Sequence, residues 1–133
     1  MSETPASVSA WLGKAEHDLA AAEALSERGD PYWDIVVFHA QQAVEKYLKA
    51  LLVFNSQRPP RVHDLPKLLT LAAKFAPRLA SFVGDCEFLS PLAIVSRYPG
   101  YELDSPAEDG ARSMDIARRV KATVRPLITQ AGP

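Results

Sequence analysis

Cysteine is almost missing from this sequence: Cys86 is the only one among 133 residues. No internal disulfide is possible. With three scattered histidines (His17, His39, His63) the usual ligand set of a structural zinc site is missing as well, and neither metal nor cofactor is expected. An excess of one charge is also missing. Fifteen Lys and Arg face sixteen Asp and Glu, for a formal charge of -1. That balance argues against nucleic-acid binding by bulk attraction and leaves room only for a local basic patch. Apolar runs last a few residues each, too short for a membrane-spanning helix. The stretch Met1 to Ser7 is polar and slightly acidic, unlike a signal peptide. The expectation is a cytoplasmic protein without membrane contact. Strand signals are nearly absent too. There is no sustained alternation, and the one Asp-Gly pair, Asp109-Gly110, falls within a helix start.

What is present reads as helix. The chain is 47% hydrophobic and 23% charged, ordinary for one folded domain spanning 1–133, with short tails at 1–7 and 128–133. Val8, Leu12, Ala15, Leu19 and Ala22 recur at helical steps, with Trp11 and Leu25 on the flanks, and Gly29 stops the pattern. Asp30-Pro31 predicts the cap and first turn of a second helix from Tyr32 to Phe54. Its apolar stripe is Trp33, Val37, Ala40, Val44, Tyr47, Leu48 and Leu51. Pro59-Pro60 holds a loop open, and Asp64 caps a third helix from Leu65 to about Phe75. Pro77 starts a short helix reaching Leu89, and Pro91 sets off a further apolar turn, Leu92 to Val95. Ser105-Pro-Ala-Glu108 has the form of a capping box for a last helix ending near Val124 or Leu127, where Pro126 weakens the final turn. The fold class is all-α, an antiparallel up-and-down bundle of four to five helices.

The second helix contains Phe38-His-Ala-Gln-Gln-Ala-Val-Glu-Lys-Tyr-Leu-Lys-Ala-Leu-Leu52. This run resembles the central signature of HEPN domains. Trp11, Ala15 and Asp18-Leu19 resemble the family's first helix, and His63-Asp64-Leu65 with Leu68-Leu69 its third. Arg97-Tyr98-Pro99 resembles its late loop, and Ala111 to Val124 its last helix. The resemblance implies a helical bundle that forms homodimers and associates with a minimal nucleotidyltransferase, often a separate neighbouring chain. Some branches of the family are RNA-cleaving toxins; others have no established activity.

Several residues could carry chemistry. His39, Gln42, Lys46 and Lys49 lie at i, i+3, i+7 and i+10 on one helical stripe, which suits a phosphate-bearing ligand. The plain alternative is a solvated face, with His39 and Gln42 bonded to neighbouring helices. Gln41 and Glu45 sit on the adjacent face, either exposed or paired across a dimer axis. Arg97-Tyr98-Pro99-Gly100-Tyr101 places an arginine and two tyrosines around a turn. Arg97 could bind a phosphate while Tyr98 stacks on a base; otherwise Tyr98 plugs the bundle end and Arg97 pairs with an acid. With Lys46, Lys49 and His39 they would line one groove.

The catalytic branch of the family uses Arg, four to six residues, then His. Arg58 and His63 have that spacing, and a His can move the 2′-OH proton while an Arg stabilises phosphorane charge. Their position departs from the family's pattern, which places the pair later, and no histidine follows His63. The basic last helix (Arg112, Arg118, Arg119, Lys121, Arg125) reads as a solvated surface. The leading expectation is an accessory protein. It would dimerise, act with a nucleotidyltransferase partner as in a toxin–antitoxin pair, and bind a nucleotide. The alternatives are a ribonuclease using Arg58 and His63, with RNA as its partner, and a structural dimer with no ligand. Tyr32, Trp33, Leu89, Leu92 and Ile94 are the candidate dimer surface.

Overall fold

Ser7 sets the start of the first helix. Its backbone is extended, and its side-chain oxygen accepts the Ala10 amide at 3.1 Å, closing the open end of α1 (Val8–Arg28). The structure, a computed structural model, describes residues 6–129. α1 buries the expected Leu12, Ala15, Leu19 and Ala22. It stops at Gly29, whose φ of 66° suits glycine and whose amide bonds back to the Leu25 carbonyl.

α2 (Trp33–Phe54) starts one residue later than expected, and Asp30 does not cap it. Instead, the Tyr32 amide closes a turn onto the Gly29 carbonyl at 2.8 Å, and Tyr32 itself takes the cap position without a side-chain bond. α2 is buried far beyond one stripe. Besides the anticipated apolar positions it encloses Val36, Gln41, Ala43, Glu45, Lys49, Ala50 and Leu52. The cause is its place in the bundle: α1 lies against it, as do α3 (Leu65–Ala73), α5 (Leu92–Val95) and α6 (Pro106–Thr129). A helix surrounded in this way can hold charged side chains only as pairs.

Asp64 caps α3 as expected, accepting the Lys67 amide at 3.2 Å. The helix ends at Ala73, short of Phe75, which is left exposed. Pro77–Phe82 is a 3-10 helix that feeds α4 (Val83–Leu89), followed by the single turn of α5. At the start of α6 the Ser105 amide is taken by Asp109 Oδ2 at 3.1 Å, so Asp109, not Glu108, completes the cap. α6 continues through Pro126 to Thr129, and Ile128 is core rather than tail. Pro126 and Ala122, whose carbonyl loses its helical partner, both face solvent, where that loss is tolerable.

The main core joins Tyr47, Leu48 and Leu51 of α2 to Ile116, Val120 and Val124 of α6 and to Leu65, Leu68, Leu79 and Leu89. A satellite cluster gathers Ala22, Val36 and Met114, with Leu25 and Trp33 packed on it. Gly110 lets α6 close on this cluster, since a Cβ there would stand 2.3 Å from Cε3 of Trp33. Of the candidate dimer residues, Leu89 is core, and Trp33 and Leu92 are half-buried because they pack inward. Tyr32 and Ile94 are exposed. Among the described residues there is no strand, and no helix is long and apolar enough to cross a membrane.

Candidate functional site

The polar residues of α2 divide among three settings, so the expected single stripe does not form one surface. His39 and Lys46 face α1. His39 Nδ1 donates to Asp18 Oδ1 at 2.9 Å, and Lys46 Nζ bonds the other oxygen of the same carboxylate. A carboxylate only accepts, so His39 carries its proton on Nδ1. Both side chains are thereby committed to the α1–α2 seam.

Lys49 is interior. Its ammonium donates to Glu45 Oε2 at 3.1 Å, and the two side chains are 6% and 4% exposed. The same ammonium stands 5.5 Å above the Trp11 ring. Glu45 also accepts from His63 Nδ1 at 3.0 Å. A chain Lys49–Glu45–His63 therefore runs from the core to the surface, where the His63 side chain is 75% exposed. With Nδ1 tied to Glu45, Nε2 is the atom His63 offers to a ligand. The expectation that Gln41 and Glu45 are exposed or paired across a dimer axis fails, because the bundle covers both.

Of the stripe, only Gln42 reaches a groove. This groove, of about 550 Å³, runs between the middle of α2, the start of α3 and the α4–α5 connection; Gln41, Gln42, His63, Glu87, Arg97 and Tyr98 line it. Arg97 and Tyr98 are presented by the end of α5, where both amides fold back onto the Ile94 carbonyl (3.1 and 3.3 Å). Tyr98 is 56% exposed, so it does not plug the bundle. Arg97 lies 5.3 Å over the Phe38 ring and has no carboxylate partner among the described residues. Its guanidinium is open to an anion. Asp64 also lines the groove, so the cationic His63 and Arg97 are offset by Asp64 and Glu87.

Gln41 forms part of the same lining yet is fully buried. Its Oε1 accepts from Gln42 Nε2 at 2.8 Å, while its own Nε2 has no partner. Leaving a buried donor unpaired costs about 1–3 kcal/mol. The other such atom is the Tyr47 hydroxyl, which has no partner at ordinary hydrogen-bond distance. Burial first, and then the Glu16 carboxylate, push its pKa up. Burial raises the Glu16 carboxyl in turn, but Lys121, Tyr47 and Arg125 outweigh it and bring the net pKa down.

Arg58 is elsewhere. It lines a separate pocket of about 230 Å³ with Leu52, Leu71, Lys74 and Phe75. Pro59-Pro60 keeps the intervening chain open while Glu45 draws His63 toward the groove, so the two residues do not share one cleft. The cations of α6 are neutralised. Arg118 meets Glu23 (3.8 Å), Arg119 meets Asp115 and Asp85 (2.8 and 3.1 Å), and Lys121 and Arg125 meet Glu16 (2.9 and 3.7 Å). Arg112 stacks 3.8 Å over Phe88. Cys86 is buried, which pushes its thiol up to about 12 and removes it as a nucleophile. Among the described residues no group of three or more His, Cys, Asp or Glu is placed to hold a metal ion.

The model of the HEPN domain family matches residues 8–127. Among solved structures, the chain is similar to TT1696 from Thermus thermophilus, at 27% identity and a TM-score of 0.76, covering 89% of this chain and 95% of that one. It is also similar to ST0689, described as an archaeal HEPN homologue, at 29% identity and a TM-score of 0.72, covering 92% and 98%. No curated protein gives a significant match.

Proposed function

The chain belongs to the HEPN domain family, and from that premise we propose that it is an accessory protein whose groove takes a nucleoside phosphate. It acts as a homodimer with a nucleotidyltransferase partner chain, as in a toxin–antitoxin pair. The observation that carries the ligand is the convergence of Arg97, Tyr98, His63 and Gln42 from three parts of the sequence on one groove, with the Arg97 guanidinium free of any acid. Arg97 binds phosphate as a charge-assisted pair, and Tyr98 offers a stacking face. Asp64 and Glu87 balance the charge of the walls, which favours a small ligand with one phosphate-bearing end over a long polyanion. The partner and the dimer rest on the family; exposed Tyr32 and Ile94 are what remains of the candidate dimer surface.

Calorimetric titration with ATP and with a candidate nucleotidyltransferase chain tests this reading, alongside light scattering at tens of micromolar for the dimer. Arg97→Ala should weaken ATP binding about tenfold or more, and binding should weaken as salt rises. Lys46→Ala, which touches only the α1–α2 seam, should bind ATP as wild type does. Wild-type affinity in Arg97→Ala would remove the groove from the reading. Failure of wild type to bind either nucleotide or partner would leave the ligand-free structural dimer.

One observation favours a second reading, RNA cleavage at this groove. His63 is oriented by a buried carboxylate, with Nε2 directed away from Glu45, and Arg97 lines the same walls. That geometry suits proton transfer from a 2′-OH with charge stabilisation by a guanidinium. If purified protein cleaves RNA and His63→Ala abolishes cleavage with the helical content intact, this reading replaces the first. Arg97→Ala and Arg58→Ala then tell which arginine serves.

A further inference from the structure

Gln41 and Gln42 are neighbours in sequence, yet both line the groove and bond each other side by side. Two adjacent amides joined by one hydrogen bond keep a donor on one and an acceptor on the other. Here the unused donor is Gln41 Nε2, fully buried and without a partner, and the acceptor is Gln42 Oε1 on a half-buried side chain. Exchanging oxygen and nitrogen in both amides preserves the internal bond and merely swaps which residue holds the donor. Either way the groove floor carries a donor next to an acceptor at fixed spacing.

We infer that this amide pair reads the edge of a nucleobase, accepting from its exocyclic amine and donating to the adjacent ring nitrogen. The inference rests on the nucleoside phosphate reading of the groove and names the part of that ligand which the amides select. A bidentate contact of this kind is how Asn and Gln side chains recognise adenine, through its amine donor beside a ring-nitrogen acceptor. Among purines adenine fits best, since its amine has a ring-nitrogen acceptor on either side, whereas guanine presents two acceptors along its N7 edge. The pair is rigid by construction. Gln41 is packed inside α2, and the bond to it fixes Gln42. Tyr98 and Arg97 on the same walls serve the base face and the phosphate.

The test separates base from phosphate. ATP, purine riboside triphosphate (which lacks the exocyclic amine) and inorganic tripolyphosphate are titrated by calorimetry into wild type, Gln41→Leu, Gln42→Leu and Arg97→Ala. Wild type should bind ATP about tenfold more tightly than purine riboside triphosphate, and more tightly still than tripolyphosphate. Each Gln variant should lose the preference for the amine while holding tripolyphosphate as wild type does. Gln42→Leu, at a half-buried site, keeps the test open if Gln41→Leu fails to fold. If wild type holds all three ligands equally, or if the folded Gln variants keep the tenfold preference, the inference is overturned while the phosphate reading stands. If wild type binds none of them, both are overturned.

Discussion

Replacing Gly110 with alanine sets two known effects against each other, with Gly13→Ala as the internal control. Both glycines lie inside helices, where alanine is worth about 1 kcal/mol over glycine. At Gly13 an added Cβ meets nothing within 4 Å, so the full gain should appear. At Gly110 the same atom would stand 2.3, 2.9 and 3.2 Å from Cε3, Cζ3 and Cδ2 of Trp33. Carbon atoms prefer about 3.5–4.0 Å, so α6 and the indole must part by more than an ångström. The indole is a stiff plate seated on Ala22, Val36 and Met114, not the loose end of a flexible chain. Overpacking of this severity costs toward the upper end of about 1–3 kcal/mol, leaving a net loss of about 1–2 after the helix gain. The two variants should therefore differ by about 2–3 kcal/mol, or roughly 10 °C in Tm for a domain this size. Because the chemical change is the same, the effect on the unfolded chain largely cancels in the comparison. Urea unfolding followed by circular dichroism measures the difference, and Trp33 fluorescence should shift in Gly110→Ala alone. Equal stabilisation by both substitutions would refute the packing of α6 on Trp33.

Other outcomes follow from the same geometry. Glu45→Ala leaves the Lys49 ammonium buried without its partner and should cost about 3–5 kcal/mol by urea unfolding, most of it recovered in Glu45→Leu/Lys49→Met. Asp18→Ala removes the shared acceptor of His39 and Lys46 and should cost about 1.5–3 kcal/mol by the same assay. Cys86, pushed up to about 12 by burial, should resist alkylation at pH 8 until the protein unfolds. Since its folded pKa exceeds the unfolded one, that thiol's contribution is complete below about pH 9 and is lost as pH rises toward 12; Cys86→Ala should flatten the decline. Glu16 works in the opposite sense. Its lowered pKa contributes stability above about pH 4.5 that disappears on acidification, and Lys121→Met should weaken this dependence.

The helices are legible because their signals are local. The four-and-three spacing of Leu12, Ala15, Leu19 and Ala22, the cap at Asp64 and the break at Pro77 each act within a turn or two, and each stands where the sequence puts it. What cannot be read is which faces of α2 the bundle covers. Lys49 and Glu45 look like surface residues at any helical spacing; only the packing of four other elements around α2 makes them interior. The Arg58–His63 spacing suggests proximity, but separation along the chain says nothing of direction, and the two side chains serve different pockets. Arg97, Tyr98 and Gln42 stand out in the sequence, and the structure brings them together. His63 joins them through its bond to Glu45, a pairing across 18 positions that no local pattern announces. The one signal for Gln41 is its place in a polar pair within an otherwise apolar run.

The pairing of the α6 cations has a kinetic consequence. Arg118, Arg119, Lys121 and Arg125 each face a carboxylate from α1, α4 or α6 itself, and the whole chain carries a formal charge of -1. No long basic lane extends along the helix to capture a polymer and guide it by sliding. Ligands therefore reach the α2–α5 groove by unsteered diffusion, at association rates of about 10⁵–10⁶ M⁻¹s⁻¹. Salt acts on how long Arg97 retains a phosphate, through the dissociation rate, and hardly at all on how often one arrives.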